Sequence, residues 1–291
     1  MTPKQVATSI EGLIISANEN YSRQIIGVQN KLYSDLVTIL RFVETDADGN
    51  ILQNAGNRSI LRAAQNQFNK TITTSNYQDA VEGHLKVIPK IDYLNADYFA
   101  AVSSAFKPNR VFIKQLQAST IETINSFVLQ DGLQANVAGP LNNILNQNIN
   151  AGGSFSGMLK QVETFVKGNH DAEGRLLRYT RTYLSDTLFN YSRAFQQSVT
   201  ADLKLEWYSY NGGLMDKTRP FCEARVGRFF QHKEVESWAS LDWQGKNPLT
   251  TESSIFIFCG GWNCRHQLIP VDETIVPEED IEHARELGFI T

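Results

Sequence analysis

The fold is decided by TPKQVATSIEGLIISANENYSRQIIGVQNKLYSDLVTILRFV, residues 2–43. Apolar side chains recur there at every third or fourth position, which is typical of one face of an amphipathic helix. The members of this stripe are Val6, Ile10, Leu13, Ala17, Tyr21, Ile25, Val28, Leu32, Leu36, Ile39 and Val43. The sequence therefore predicts one long N-terminal helix.

Both ends of this helix have recognisable signals. Thr2 is suited to the N-cap, Pro3 is favoured at the first helical position, and DADGN at residues 46–50 supplies a stop and a turn. The mean spacing of the stripe, about 3.7 residues, predicts a straight or slightly right-handed packing seam.

Two interpretations of the stripe stay open, since it can pack on its own domain or line an oligomeric partner.

The rest of the chain divides into a helical part and a mixed part. Helical patterns cover residues 58–71, 77–87, 96–106 and 111–129, and others start near residues 156 and 172. The Asn-, Gly- and Ser-rich segment 142–157 marks an internal boundary and is suited to a linker. From residue 205, short aromatic and β-branched runs between turns predict a small β-containing unit. We expect a mainly α protein, with a helical domain at 1–150 and a small α+β domain at 151–291.

Composition limits the class of protein. Of the 291 residues, 42% are hydrophobic and 20% charged, which is ordinary for a soluble globular protein. No apolar run approaches the ~18 residues of a membrane helix, and no secretory signal is recognised. Residues 231–291 hold four basic and eleven acidic side chains, and the chain has no Lys/Arg tract. Strong or sequence-specific nucleic-acid binding is therefore not expected.

All three cysteines lie in the last quarter of the chain. Cys222, Cys259, Cys264 and His266 follow the spacing C-x36-C-x4-C-x-H, and His232 is available as a substitute ligand. Four soft ligands suit a tetrahedral zinc ion, and a closed four-ligand site would be structural. An odd cysteine number fits a reducing compartment. The alternative is that the thiols pack as small buried hydrophobes, with His266 hydrogen-bonded to backbone.

A set of residues in this region resembles a known family. The pattern has a helix with an Arg-Thr pair, then Trp, Asp, Arg and Cys, then a glycine loop, then an Asn-Cys-Arg-His box before a proline. Its members here are Arg181, Thr182, Trp207, Asp216, Arg219, Cys222, Gly227, Asn263, Cys264, Arg265, His266 and Pro270. Over residues 155–272 the chain resembles the phage Mu protein F-like head-morphogenesis family. Gly261-Trp262 replaces a His-Pro pair often found in the family, which leaves Cys259 or His232 as the replacement ligand.

The resemblance implies a structural role without catalysis. Members of the family are few-copy virion proteins of tailed phages, associated with the portal or the inside of the head. The implied partners are other virion proteins, namely portal, major capsid or neck proteins, in a homo- or hetero-oligomeric assembly. We accordingly expect a location in the virion, at the head or portal vertex, after assembly in the host cytoplasm.

Five polar residues of this region form a predicted structural network: Arg181, Asp216, Arg219, Asn263 and Arg265. Arginines on a helix and beside the cysteines, with an aspartate in a turn, are suited to bidentate ion pairs that dock the β unit on the last long helix. The competing interpretation is an anion or phosphate site made by the arginines.

Two enzymatic alternatives remain. One is a metal-dependent nuclease or transferase acting on a phosphodiester through Asn263, His266 and His232, which requires an open metal site and a basic groove. The acidic C-terminal region argues against such a groove. The other is a toxin-like effector carried by the particle, although only a short charged helix follows Pro270. A binding protein is the simpler hypothesis.

Overall fold

The computed structural model describes residues 1–291, apart from the side chain of Ser75. The protein is mainly α, with one small antiparallel sheet near the C-terminus, which confirms the predicted fold class. The helices are α1 (Pro3–Leu40), α2 (Ala55–Ile72), α3 (Ser75–Leu85), α4 (Ile88–Val102), α5 (Arg110–Leu129), α6 (Asp131–Leu133), α7 (Gly139–Ala151), α8 (Phe155–Lys167), α9 (Arg175–Leu203), α10 (Pro220–Glu223), α11 (His232–Ser237), α12 (Ile255–Phe258) and α13 (Glu278–Glu286). Among the described residues, none of these helices is both long and apolar enough to cross a bilayer.

Helix α1 has the predicted start. The backbone N–H of Gln5 donates to Thr2 Oγ1 at 3.2 Å, and the N–H of Thr2 donates to Gln5 Oε1 at 2.8 Å, which is a capping box. The helix ends at Leu40, and Asp46 then closes the turn by accepting from the N–H groups of Asp48 and Asn50. Most of the apolar stripe is buried within the chain, so it packs on the protein's own core.

The chain forms two compact units. Unit 1 comprises Met1–Ser16, Lys86–Ile121 and Ser185–Thr291, and unit 2 comprises Ala17–Leu85 and Glu122–Leu184. This division differs from the boundary predicted at residues 150/151, because it falls inside α1, α5 and α9. Composition marks turns along the chain, whereas the units are defined by contacts between distant segments.

The segment 142–157 is not a linker. It contains the end of α7 and the start of α8, joined by Gly152 in a left-handed C-cap (φ 62°) and by Ser154. Ser154 is the N-cap of α8, since its Oγ accepts from Gly157 N–H at 3.1 Å. The polar composition suggested a linker because only every fourth residue of α7 is buried. These buried residues are Leu141, Leu145 and Ile149.

The sheet of unit 1 has three strands in the order β2-β1-β3. These are β1 (Trp207–Asn211), β2 (Phe229–Gln231) and β3 (Gln267–Val271), all antiparallel. Tyr208 of β1 lies opposite Phe230 on one side and Pro270 on the other. All five residues of β1 and of β3 are buried, so this sheet lies inside unit 1. Since β3 begins directly after His266, the sheet fixes the position of the Asn-Cys-Arg-His box.

Candidate metal centre

Three of the predicted ligands meet beside the sheet. Cys222 lies in the one-turn helix α10, which Pro220 starts, while Cys264 and His266 lie on the loop that enters β3. Their ligand atoms all lie within 4.8 Å of one another, and Cys264 Sγ is 3.7 Å from His266 Nδ1. All three residues are buried. A buried group of two thiols and one imidazole could therefore hold a metal ion.

One ligand–ligand distance in this group matches the edge of a tetrahedral site. Typical zinc–sulfur and zinc–nitrogen bonds give an S···N separation of about 3.6 Å across a tetrahedral edge, close to the distance between Cys264 and His266. The buried His266 Nε2 has no hydrogen-bond partner among the described residues, so protein groups alone do not satisfy this ring. Nδ1, the ring nitrogen that faces Cys264 Sγ, is the one placed to coordinate an ion.

The backbone next to the sulfurs has room only for glycine. A Cβ at Gly260 would clash with Cys222 Sγ and would lie 2.9 Å from Cys264 Sγ. Gly261 has φ +90°, a conformation that side chains rarely adopt. The Gly-Gly pair of the sequence thus lets the loop pass directly against the ligand atoms.

The hydrogen bonds and charges of the cluster favour ionisation at Cys264. Hydrogen bonds from the Cys222 and Cys259 thiols lower the pKa of Cys264 well below its ordinary value, with His266 and Arg193 acting in the same direction. The hydrogen bond to Cys264, together with burial, raises the pKa of Cys222. Burial, followed by the same neighbour, raises the pKa of Cys259. A cation is the natural partner for such a group.

The two remaining predicted ligands differ in position. The Cys259 thiol is buried next to Cys264, although Cys259 does not belong to the mutually close group of three. His232 lies elsewhere, with Nδ1 3.1 Å from Tyr208 Oη, Nε2 3.3 Å from Glu236 Oε1 and its ring stacked on Phe256. His232 is therefore not a member of the group of three, and its ring is held by aromatic packing and a carboxylate.

A buried arginine that the sequence analysis missed anchors the ligand loop. Arg193 of α9 is 2% exposed. Its guanidinium donates to the backbone oxygens of Ile257 (2.9 Å), Cys264 (2.6 Å) and His266 (3.0 and 2.7 Å). The signal in the sequence was an arginine between Ser192 and Phe195, on the buried face of the helix. Arg193 ties both sides of Cys264 to α9.

The predicted arginine–aspartate ion pairs are not formed among these residues, because the three arginines have other partners. Arg181 pairs with Glu173 at 2.6 Å. Arg219 donates to the backbone oxygens of Gly260 (3.3 Å) and Trp262, and Arg265 lies against Met215 Sδ. Asp216 is exposed in a turn closed by a bond from Met215 N–H to Thr218 Oγ1.

The carboxylate beside the ligand loop is Asp186, which the sequence analysis also missed. Its Oδ2 accepts from the backbone N–H of Asn263 at 3.1 Å. Asn263 has φ 57°, so this bond helps to hold the loop in a left-handed turn immediately before Cys264. Burial raises the pKa of Asp186 to about 6.

The ligand group is shielded from solvent. Catalytic zinc sites keep an open coordination position, whereas Cys222, Cys264 and His266 are at most 5% exposed. Of the residues named for the nuclease interpretation, His232 contacts Tyr208 Oη, and the Asn263 backbone N–H donates to Asp186. Comparisons with protein-family models, curated proteins and solved structures found no match to this chain.

Proposed function

We propose that the chain is a structural virion protein, a minor head component of a tailed phage that acts through protein–protein contacts and not as an enzyme. The observation that carries the proposal is the buried Cys222, Cys264 and His266 group, within the region that resembles head-morphogenesis proteins. A buried group of soft ligands stabilises the fold when it binds an ion.

We propose zinc as the ion of this site. Thiolate and imidazole together favour zinc over magnesium or calcium, which prefer oxygen ligands. The ion would join α10 to the loop before β3, two segments far apart in the sequence. Its binding free energy would add directly to the folding free energy of unit 1.

A groove on unit 2 is the proposed contact surface. It has a volume of about 850 Å³ and lies between α7, α8 and the start of α9. Exposed Lys160 and Arg178 lie on its rim, while half-buried Phe165 and Ile144 line it. This combination of cations around an apolar floor is complementary to a virion protein with an acidic, partly apolar surface.

Particle incorporation tests the proposed function. In particles from cells that carry the gene, the wild-type chain should co-purify with heads, and Lys160→Glu/Arg178→Glu should reduce its amount at least several-fold. The charge reversal removes the complementarity without touching a buried residue. Quantitative mass spectrometry of purified particles measures the amount of the chain. The matched control is Lys90→Glu/Lys217→Glu, which reverses two exposed cations outside the groove. Absence of the wild-type chain from particles contradicts the virion role.

A further inference from the structure

We infer that Cys259 is the fourth zinc ligand, so that the site is a closed Cys3His tetrahedron made of Cys222, Cys259, Cys264 and His266. This inference rests on the proposed zinc binding and specifies whether the zinc site is structural or catalytic. Three protein ligands and a water would make an open, potentially catalytic centre, whereas a fourth protein ligand makes a structural one.

The backbone of Cys259 is held in an unusual conformation. Its φ and ψ are 51° and −120°, a region that favours glycine. The turn is fixed on both sides, because Cys259 N–H donates to Ile255 O at 2.7 Å and Gly261 N–H donates to Phe258 O at 2.8 Å. Non-glycine residues keep such conformations mainly at functional sites. Here the result is a thiol directed into the protein beside the ligand group.

The Cys259 side chain is buried beside two of the ligand residues. Cys259 is buried in the same cluster as Cys222 and Cys264, and Gly260, the residue that follows Cys259, lies against the sulfurs of both. Rotation of a cysteine between staggered χ1 positions moves its sulfur by about 3 Å. On this inference, such a rotation places the Cys259 sulfur in the coordination sphere when the ion binds.

The neighbouring polar groups are poorer candidates for the fourth position. Tyr210 Oη is buried without a partner among the described residues, but a phenol is a weak zinc ligand compared with a thiol. Asp186 already accepts from Asn263 N–H. Three thiolates and Zn²⁺ carry a net charge of −1, which the adjacent guanidinium groups of Arg193 and Arg219 offset.

Cobalt substitution of the full-length chain tests the inference. Co²⁺ in a tetrahedral site gives visible ligand-field bands, and the near-ultraviolet thiolate-to-cobalt band grows with the number of thiolates. We expect Cys259→Ser to lose about one third of that band, as Cys222→Ser should. Cys259→Gly is the second variant, because glycine accepts the positive φ and preserves the turn. His170→Ala, a fully exposed histidine, should leave the spectrum unchanged.

X-ray absorption of the zinc-loaded protein separates the outcomes. Three sulfur neighbours and one nitrogen in the wild type, with two sulfurs in both Cys259 variants, support the inference. Two sulfurs, one nitrogen and one oxygen in the wild type, with unchanged cobalt spectra for the variants, overturn it while zinc binding stands. A wild-type chain that binds neither metal overturns the zinc proposal itself.

Discussion

At the residue scale, Arg193 is the side chain on which the ligand loop depends. Truncation to leucine would leave the backbone oxygens of Ile257, Cys264 and His266 without their buried donor. Unsatisfied buried acceptors are costly, so we expect Arg193→Leu to lower the free energy of unfolding by about 3 kcal/mol. Urea denaturation measures this. Arg178→Leu, at an exposed position, should change it by less than about 0.5 kcal/mol; equal effects of the two variants would show that Arg193 is not an anchor.

His84 makes unit 2 sensitive to acid. The side chain is 2% exposed, and burial lowers the pKa of His84 to about 4 from the ordinary 6.5. Protonation therefore favours the unfolded chain: the stability contribution is complete above about pH 6.5 and is lost as the pH falls towards 4. Over this range we expect the wild type to lose up to about 3 kcal/mol relative to His84→Gln.

The measurement is urea denaturation at several pH values between 4 and 7. His170→Gln is the control, since its side chain is fully exposed, and it should follow the wild-type curve. If wild type and His84→Gln lose stability in parallel, His84 does not titrate as its burial requires.

At the scale of elements, α1 shows how a helix face is used. Ile25 is fully buried in the core of unit 2, whereas its neighbour Ile26 is 47% exposed. We expect Ile25→Ala to lower the free energy of unfolding by about 2–5 kcal/mol through the lost contacts and the cavity, and Ile26→Ala by less than about 1 kcal/mol. Denaturant unfolding compares the two. The opposite order would mean that the stripe of α1 does not pack inside the chain.

The sequence predicts elements better than it predicts partners. The period of the stripe and the Thr2-Pro3 start place α1 correctly, because helix periodicity and capping are local properties. The gathering of Cys222, Cys264 and His266 was also foreseeable, since soft ligands in one region are uncommon in a cysteine-poor chain. Which arginine contacts the ligand loop could not be predicted from the sequence. Arg181 and Arg193 belong to the same helix, and only the tertiary packing shows which one reaches the ligand loop.

At the scale of the whole molecule, unit 1 is assembled from three separate parts of the chain. Tyr98 Oη donates to Pro270 O at 2.7 Å, and Gln267 Nε2 donates to Ala7 O at 3.4 Å, so β3 depends on residues of the first hundred. We therefore expect the fragment 151–291 not to fold by itself. Circular dichroism and thermal unfolding, with the intact chain as reference, test this. A cooperative transition of the fragment would show that the contact-defined units are not the folding units.

Zinc content is the most direct test of the central claim, that the Cys/His group is a structural metal site. The intact chain, purified without added metal, should contain one zinc per molecule by inductively coupled plasma mass spectrometry. Cys264→Ser and His266→Ala should lose the ion and unfold at a lower temperature, while His170→Ala keeps both properties. A wild-type chain that is fully folded, free of metal and unaffected by added zinc would contradict the account.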